Sequence, residues 1–300
     1  MPVPYLPRVP LIRVDHVSIA VREIDRALDF FLEYFPARQD QPKADGYDGQ
    51  FRWADFKIGE FRIELVESMC PGSFVERFLE RRGEGFHHWS LNVDELDPLD
   101  ERLVRDGIRV VDRFDEGGGA KTLFIHPKSA FGVLIQFWQK PSLVDEIEPS
   151  AGGTVAKNGV LWEVDHLSMA LEEMKPARDF LARYFDGRVE VEPHSGYDGS
   201  FRLMQMLVRD YRMELMENAR PGGFLERFLA RRGPGLHHIS IDVEDLDTVL
   251  EPFERRGSRI VDRFELAPGW KTAFLHPHST FGVLVQFWQT PARNARSAFR

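Results

Sequence analysis

Gly85-Phe86-His87-His88-Trp89-Ser90-Leu91 decides the fold, because the chain says it twice. Gly235-Leu236-His237-His238-Ile239-Ser240-Ile241 repeats it 150 residues later (235 − 85). As a strand, the phrase puts His88, Ser90 and Asn92 on one face and Trp89, Leu91 and Val93 on the other. The second copy sets His238, Ser240 and Asp242 against Ile239, Ile241 and Val243. A strand with one apolar face and one polar face carrying histidine belongs to a sheet packed on one side and cupped around something on the other.

Working outward, the repeat extends almost the length of the chain. Residues 13–140 lie over 163–290 without a gap, with Gly46-Tyr47-Asp48-Gly49 answered by Gly196-Tyr197-Asp198-Gly199 and Phe131-Gly132-Val133-Leu134 by Phe281-Gly282-Val283-Leu284. So long an interval is a duplicated domain rather than a solenoid repeat. The expected organisation is an N-terminal extension over 1–12, a first domain over 13–140, a linker over 141–160, a second domain over 161–290 and a tail over 291–300. Within the first domain, strands are expected at 14–21, 51–58, 61–67, 87–93, 109–111, 122–126 and 133–138. Helices are expected at 25–35, 74–82 and 95–105. Each half is thus two strand-helix-strands units, and the chain holds four.

Composition narrows the function. The 300 residues are 43% apolar and 29% charged, which suits two soluble domains with real cores. A net charge of −9 gives no basic field for nucleic acid or an anionic membrane. The one cysteine, Cys70, rules out an internal disulfide framework. No apolar run is long enough to span a membrane, and the proline-rich start does not read as a signal peptide, so a cytoplasmic protein is expected.

The same alternation test marks one polar residue on each of the other inner strands: His16 beside Val17 and Ile19, Glu64 between Ile63 and Leu65, Gln136 between Ile135 and Phe137. His16 to His88 and Glu64 to Gln136 are both 72 residues (88 − 16 and 136 − 64), so the two units of a half carry equivalent polar positions. A pseudo-two-fold axis would bring all four together, and His166, Glu214, His238 and Gln286 repeat the set. Two imidazoles, a carboxylate and an amide oxygen suit a divalent Fe, Co, Mn, Ni or Zn ion, with too few oxygens for calcium.

Asp15-His16-Val17, Ile63-Glu64-Leu65, Gly85-Phe86-His87-His88 and His126-Pro127-Lys128-Ser129 resemble the vicinal oxygen chelate superfamily of glyoxalases and ring-cleaving dioxygenases, and each half is similar to its methylmalonyl-CoA epimerases. The resemblance implies an α+β fold of four βαβββ modules paired into two cupped mixed sheets, a fused pseudo-dimer open to further homo-oligomerisation. It implies metal ligands at the eight positions just named. It also implies a small substrate, anionic or carbonyl-containing, with epimerase or isomerase chemistry first, Fe(II) dioxygenation second and a non-catalytic binding or resistance protein third.

The chain departs from that pattern in one respect. The epimerases carry Glu at the fourth ligand position, where it can also act as base, and this chain carries Gln in both halves. An amide cannot take a proton at neutral pH. A second base expected near Trp53 and Leu203 is missing too. Tyr47, His87, Tyr197 and His237 are the remaining acid–base candidates, with Glu67 and Glu217 behind them. His126 and His276 read as turn residues, Lys121 and Lys271 as solvated lysines, and Arg62 and Arg212 as partners of an acid or a substrate carboxylate.

Overall fold

The computed structural model describes residues 11–46, 49–140 and 152–291. The first half runs β1 (Leu11–Ala20), α1 (Ile24–Tyr34), β2 (Ala37–Asp45), β3 (Phe51–Ile58), β4 (Phe61–Ser68), α2 (Phe74–Arg82), β5 (Gly85–Val93), α3 (Leu96–Arg105), β6 (Val110–Gly117), β7 (Ala120–Ile125) and β8 (Leu134–Gln139). After β9 (Val155–Lys157), the second half repeats the order: β10 (Val160–Leu171), α4 (Met174–Phe185), β11 (Arg188–Ser195), β12 (Phe201–Val208), β13 (Tyr211–Asn218), α5 (Phe224–Arg232), β14 (Gly235–Val243), α6 (Leu246–Arg255), β15 (Ile260–Ala267), β16 (Trp270–Leu275) and β17 (Leu284–Gln289).

Each half folds into one mixed sheet, ordered β2-β3-β4-β1-β5-β8-β7-β6 and β11-β12-β13-β10-β14-β17-β16-β15. These are the paired βαβββ modules that the family resemblance implies. The modules join where β1 meets β5, antiparallel, while β1–β4 and β5–β8 pair in parallel. The four polar positions therefore sit on four adjacent inner strands.

Two features depart from the expected element boundaries. Strands β2 and β11 fall where no alternation is visible, since Ala37–Asp45 is mostly exposed and polar. Residues 155–157, inside the expected linker, form β9 and pair with the start of β10. Lys157 there donates to the carbonyls of Leu32 and Phe35, capping the end of α1.

Each sheet packs its apolar face on helices of its own half, and aromatic side chains cross between the halves. Phe35, just past α1, packs on Trp162, Phe253 and Phe287 of the second half. Phe185, at the end of α4, packs on Trp89 and Phe137 of the first. This exchange merges the two halves into a single apolar core. The opposite faces stay concave. α2 covers one end of the first cup through Ala20, Val66, Val75 and Leu79, and α5 does the same for the second through Ala170, Phe201, Met216 and Leu225.

Candidate metal centres

Strand register builds each site. Ser18 on β1 pairs with Glu64 on β4 and with His88 on β5, while Ser90 on β5 pairs with His16 and Gln136. His16 Nε2 lies 3.1 Å from His88 Nε2, and Glu64 Oε1 lies 3.7 and 3.8 Å from the same two nitrogens. In the second half, His166 Nε2 and His238 Nε2 are 3.3 Å apart, with Glu214 Oε1 at 3.7 and 3.9 Å. The four histidines are buried, as is Glu214.

These distances suit a shared cation. Two imidazole nitrogens bound at ordinary metal–nitrogen lengths and near a right angle stand about 3 Å apart. The protonation pattern points the same way. Ionised Asp15 can only accept, so in the 2.7 Å contact His16 Nδ1 donates, and the neutral ring held this way would offer Nε2 to a cation. His166 and Asp165 repeat this at 2.8 Å. A cation seated between the two Nε2 atoms and the glutamate oxygen would be held by all three. Gln136 adds a further donor: its amide lies beside His88, yet Oε1 is buried without a hydrogen bond of ordinary geometry. Gln286 donates from Nε2 to Thr272 Oγ1 at 3.3 Å, which leaves its own oxygen available.

Two β-bulges supply what plain alternation cannot. Register slips between Val14 and His16 and between Ser18 and Ile19, leaving Asp15 and His87 as the extra residues opposite their partners; Asp165 and His237 sit at the same slips in the second half. Strict alternation would turn each away from its histidine neighbour. The bulge re-aims it to the same side. Asp15 thereby reaches His16, and His87 Nδ1 comes within 2.9 Å of His88 Nδ1, with 2.8 Å for His237 and His238. Every candidate ligand ring thus has its far nitrogen held, as in imidazoles oriented toward a metal.

The charges follow from burial and pairing. Burial would raise the Asp15 carboxyl, but the His16 bond and the charges of His16, Arg62 and Arg13 hold it well below the usual carboxylate range. His16 and His166 are opposed by burial yet rise, because Glu64 with Asp15, and Glu214 with Asp165, stand beside them. Glu64 is raised, chiefly by burial. His88 and His238 are pushed down by burial and by the neighbouring imidazoles. Burial pushes His87 and His237 down to about 4.

The acid–base candidates fall into place unevenly. His87 and His237 are wedged against Phe74 and Phe78, and Phe224 and Phe228, where each is set to position a ligand ring. Tyr197 is 46% exposed at the rim, its phenol pushed up to about 12 by burial, Asp198 and Asp262, so it can donate a proton but not take one at neutral pH. Tyr47 lies outside the described residues. Glu67 and Glu217 accept from the backbone N–H of Ile24 and Met174 at the starts of α1 and α4. Arg62 and Arg212 serve acids: Arg62 bonds Asp40 and Arg212 bonds Asp165 and Glu190. Lys121 and Lys271 pair with Asp97 and Asp247, and His126 and His276 accept from the turn N–H two residues on.

Two carboxylates near the cups, Asp55 and Glu116, had not been singled out, and a third, Asp242, had only been placed on the polar strand face with His238. Asp55 on β3 sits opposite Glu64, buried, and raised by that burial. Glu116 at the rim of the first cup accepts from Thr122 Oγ1 at 3.1 Å. Asp242 lines the second cup, at the same register as Trp288. The signal for Asp55 was available, since it shares a strand face with Trp53 and stands across from Glu64. The second cup opens on a cavity of about 740 Å³ that reaches His166, Glu214, His238 and Gln286.

Comparisons with known proteins agree with this architecture. The sequence model of the Glyoxalase/Bleomycin resistance protein/Dioxygenase superfamily matches residues 15–125 and 165–274, one stretch in each half. The Bacillus subtilis protein YqjC is 32% identical over 127 residues, covering 41% of this chain and 89% of its own. The mitochondrial methylmalonyl-CoA epimerase of Dictyostelium discoideum is 28% identical over 131 residues, covering 43% of this chain and 78% of its own. Among solved structures, a mutant 4-hydroxymandelate synthase from Streptomyces coelicolor overlays with a TM-score of 0.65 at 14% identity, covering 95% of this chain and 94% of that one. That likeness is one of fold.

Proposed function

The chain belongs to the glyoxalase/bleomycin resistance protein/dioxygenase superfamily, and from that premise we propose that it is a divalent-metal-dependent enzyme acting next to a substrate carbonyl, of the epimerase or isomerase kind. The observation that carries the reading is the convergence of His16, Glu64 and His88, and of His166, Glu214 and His238, with the far nitrogen of every imidazole held by an aspartate or a second histidine. A divalent ion held there would act as a Lewis acid on a substrate oxygen and acidify the neighbouring C–H bond. Gln136 and Gln286 would complete the ligand sets through their amide oxygens.

The residues define the rest. With Gln in place of Glu, each site carries one more positive charge than a two-carboxylate site and favours an anionic substrate. Proton transfer falls to the cup-wall carboxylates, Asp55 in the first half and Asp242 in the second. Burial raises Asp55, which brings it closer to the range a base needs near neutral pH. Relatives named as methylmalonyl-CoA epimerases support a CoA ester of a branched malonate as the first substrate to try.

A second reading, Fe(II)-dependent dioxygenation, is favoured by the ligand set itself, since two histidines and one carboxylate are what that chemistry uses. One experiment separates them. The cobalt- or iron-loaded protein is incubated with methylmalonyl-CoA in deuterated buffer without oxygen, and then in air. Deuterium entering the α-position without oxygen supports the isomerase reading. Turnover only in air, without such exchange, replaces it with the dioxygenase, and metal binding with neither leaves a binding protein.

A further inference from the structure

The two cups share their metal-ligand residue types but not their walls. Superposed at the 150-residue offset, Leu203, Gln205, Leu266 and Trp270 of the second cup correspond to Trp53, Asp55, Glu116 and Ala120 of the first. All four second-half residues line its cavity. At two of these positions the first cup carries the acid, while at a further one the second cup carries Asp242 where the first has Asn92. Two neutral side chains become carboxylates, one on each flank of the metal-ligand cluster: Asp55 opposite Glu64, and Glu116 bonded to Thr122. Trp53 packs among Ala20, Val66, Val75 and Leu79, under α2, where the second cup has the smaller Leu203.

Trp270 and Leu266 are particular to the second cup, where the first has Ala120 and Glu116, while Trp288, Phe274, Arg231 and Arg232 recur in the first half as Trp138, Phe124, Arg81 and Arg82. Trp270 and Trp288 stand with their ring centroids 6.3 Å apart, and Phe274 and Leu266 extend the same wall. The wall formed by α5 presents Arg231 and Arg232, for which no carboxylate partner is found among the described residues. A cavity of about 740 Å³ with an aromatic wall and the guanidinium groups of Arg231 and Arg232 suits a flat apolar body carrying a negative charge.

We propose that the two cups are not equivalent: the second binds a planar aromatic carboxylate, and the first excludes it by the bulk of Trp53 and the charges of Asp55 and Glu116. The two halves of the duplication therefore serve different ligands. The inference rests on the metal-centred reading above for the placement of both cups, so metal content is measured on every sample.

The probe is 2-naphthoate, titrated calorimetrically into the metal-loaded protein. One equivalent is expected to bind per chain. Leu203→Trp with Leu266→Glu, which writes the first cup's residues into the second, is expected to weaken it on the order of tenfold or more. Gln205→Asp is the milder variant, adding charge without bulk, and is expected to weaken it in the same direction. The reciprocal set, Trp53→Leu, Asp55→Gln and Glu116→Leu, is expected to add a second equivalent. Retained metal and an unchanged circular dichroism spectrum identify variants that have folded. Two equal equivalents in the unaltered protein, no binding at all, or binding unmoved by both second-cup variants overturns the proposal. Loss of metal throughout would instead count against the metal-centred reading.

Discussion

Asp165→Asn tests how the second site is held. Asp165 accepts from His166 Nδ1 at 2.8 Å and pairs with Arg212 Nη1 at 2.5 Å. It reaches a metal only through His166, and the change keeps its shape while removing its charge. Losing an outer carboxylate of this kind costs metal affinity about 10–100-fold, or roughly 1.4–2.8 kcal/mol. The first site has its own partner in Asp15 and should not respond. Cobalt(II) titrated against a competing chromophoric chelator reads both sites in one experiment. The expected result is two equivalents, one with unaltered affinity and one weakened into that range. Two equivalents of unaltered affinity would mean that Asp165 does not orient His166, and the bulge would lose its assigned purpose.

Three further outcomes follow from the same geometry. Gln136→Glu with Gln286→Glu should keep metal bound, weaken anionic ligands and raise α-proton exchange in deuterated buffer, because each site gains a carboxylate; unchanged values for all three would place both glutamines outside the ligand sphere. His237 is held neutral, with its pKa down at about 4 against 6.5 when unfolded. The unfolded chain therefore binds the extra proton as pH falls below the unfolded value, and stability drops between pH 7 and 5 by about 1–2 kcal/mol for that ring. His237→Phe should remove that part of the acid sensitivity, as read by urea unfolding at the two pH values. Phe185→Ala, which empties the space behind the first sheet beside Trp89 and Phe137, should cost about 3–5 kcal/mol and weaken both halves together, as read by denaturant unfolding.

Much of the fold was legible because duplication repeats every signal. The inner strands alternate cleanly, and Glu64 and Gln136 stand out because each interrupts an apolar strand. Ala37–Asp45 gave nothing, since a nine-residue edge strand exposed along most of its length has no apolar face to display. The bulges were equally hidden. Asp15 and His87 sit next to ligands in sequence, and alternation assigns them to the wrong face. Strand period cannot register one extra residue, so the partners that hold the imidazoles became visible only in three dimensions. Phe35 and Phe185 read as ordinary helix ends, because a contact between halves leaves no local pattern.

Whether each half holds a metal ion is read most directly from the metal content of protein purified without chelator, by mass spectrometry of the intact chain under native conditions. Two divalent ions per chain are expected, one in His88→Ala, one in His238→Ala and almost none in the double variant, with a matching fall in thermal stability. Two ions retained in the double variant, or none in the unaltered protein after exposure to Fe, Co, Mn, Ni and Zn, would contradict that expectation.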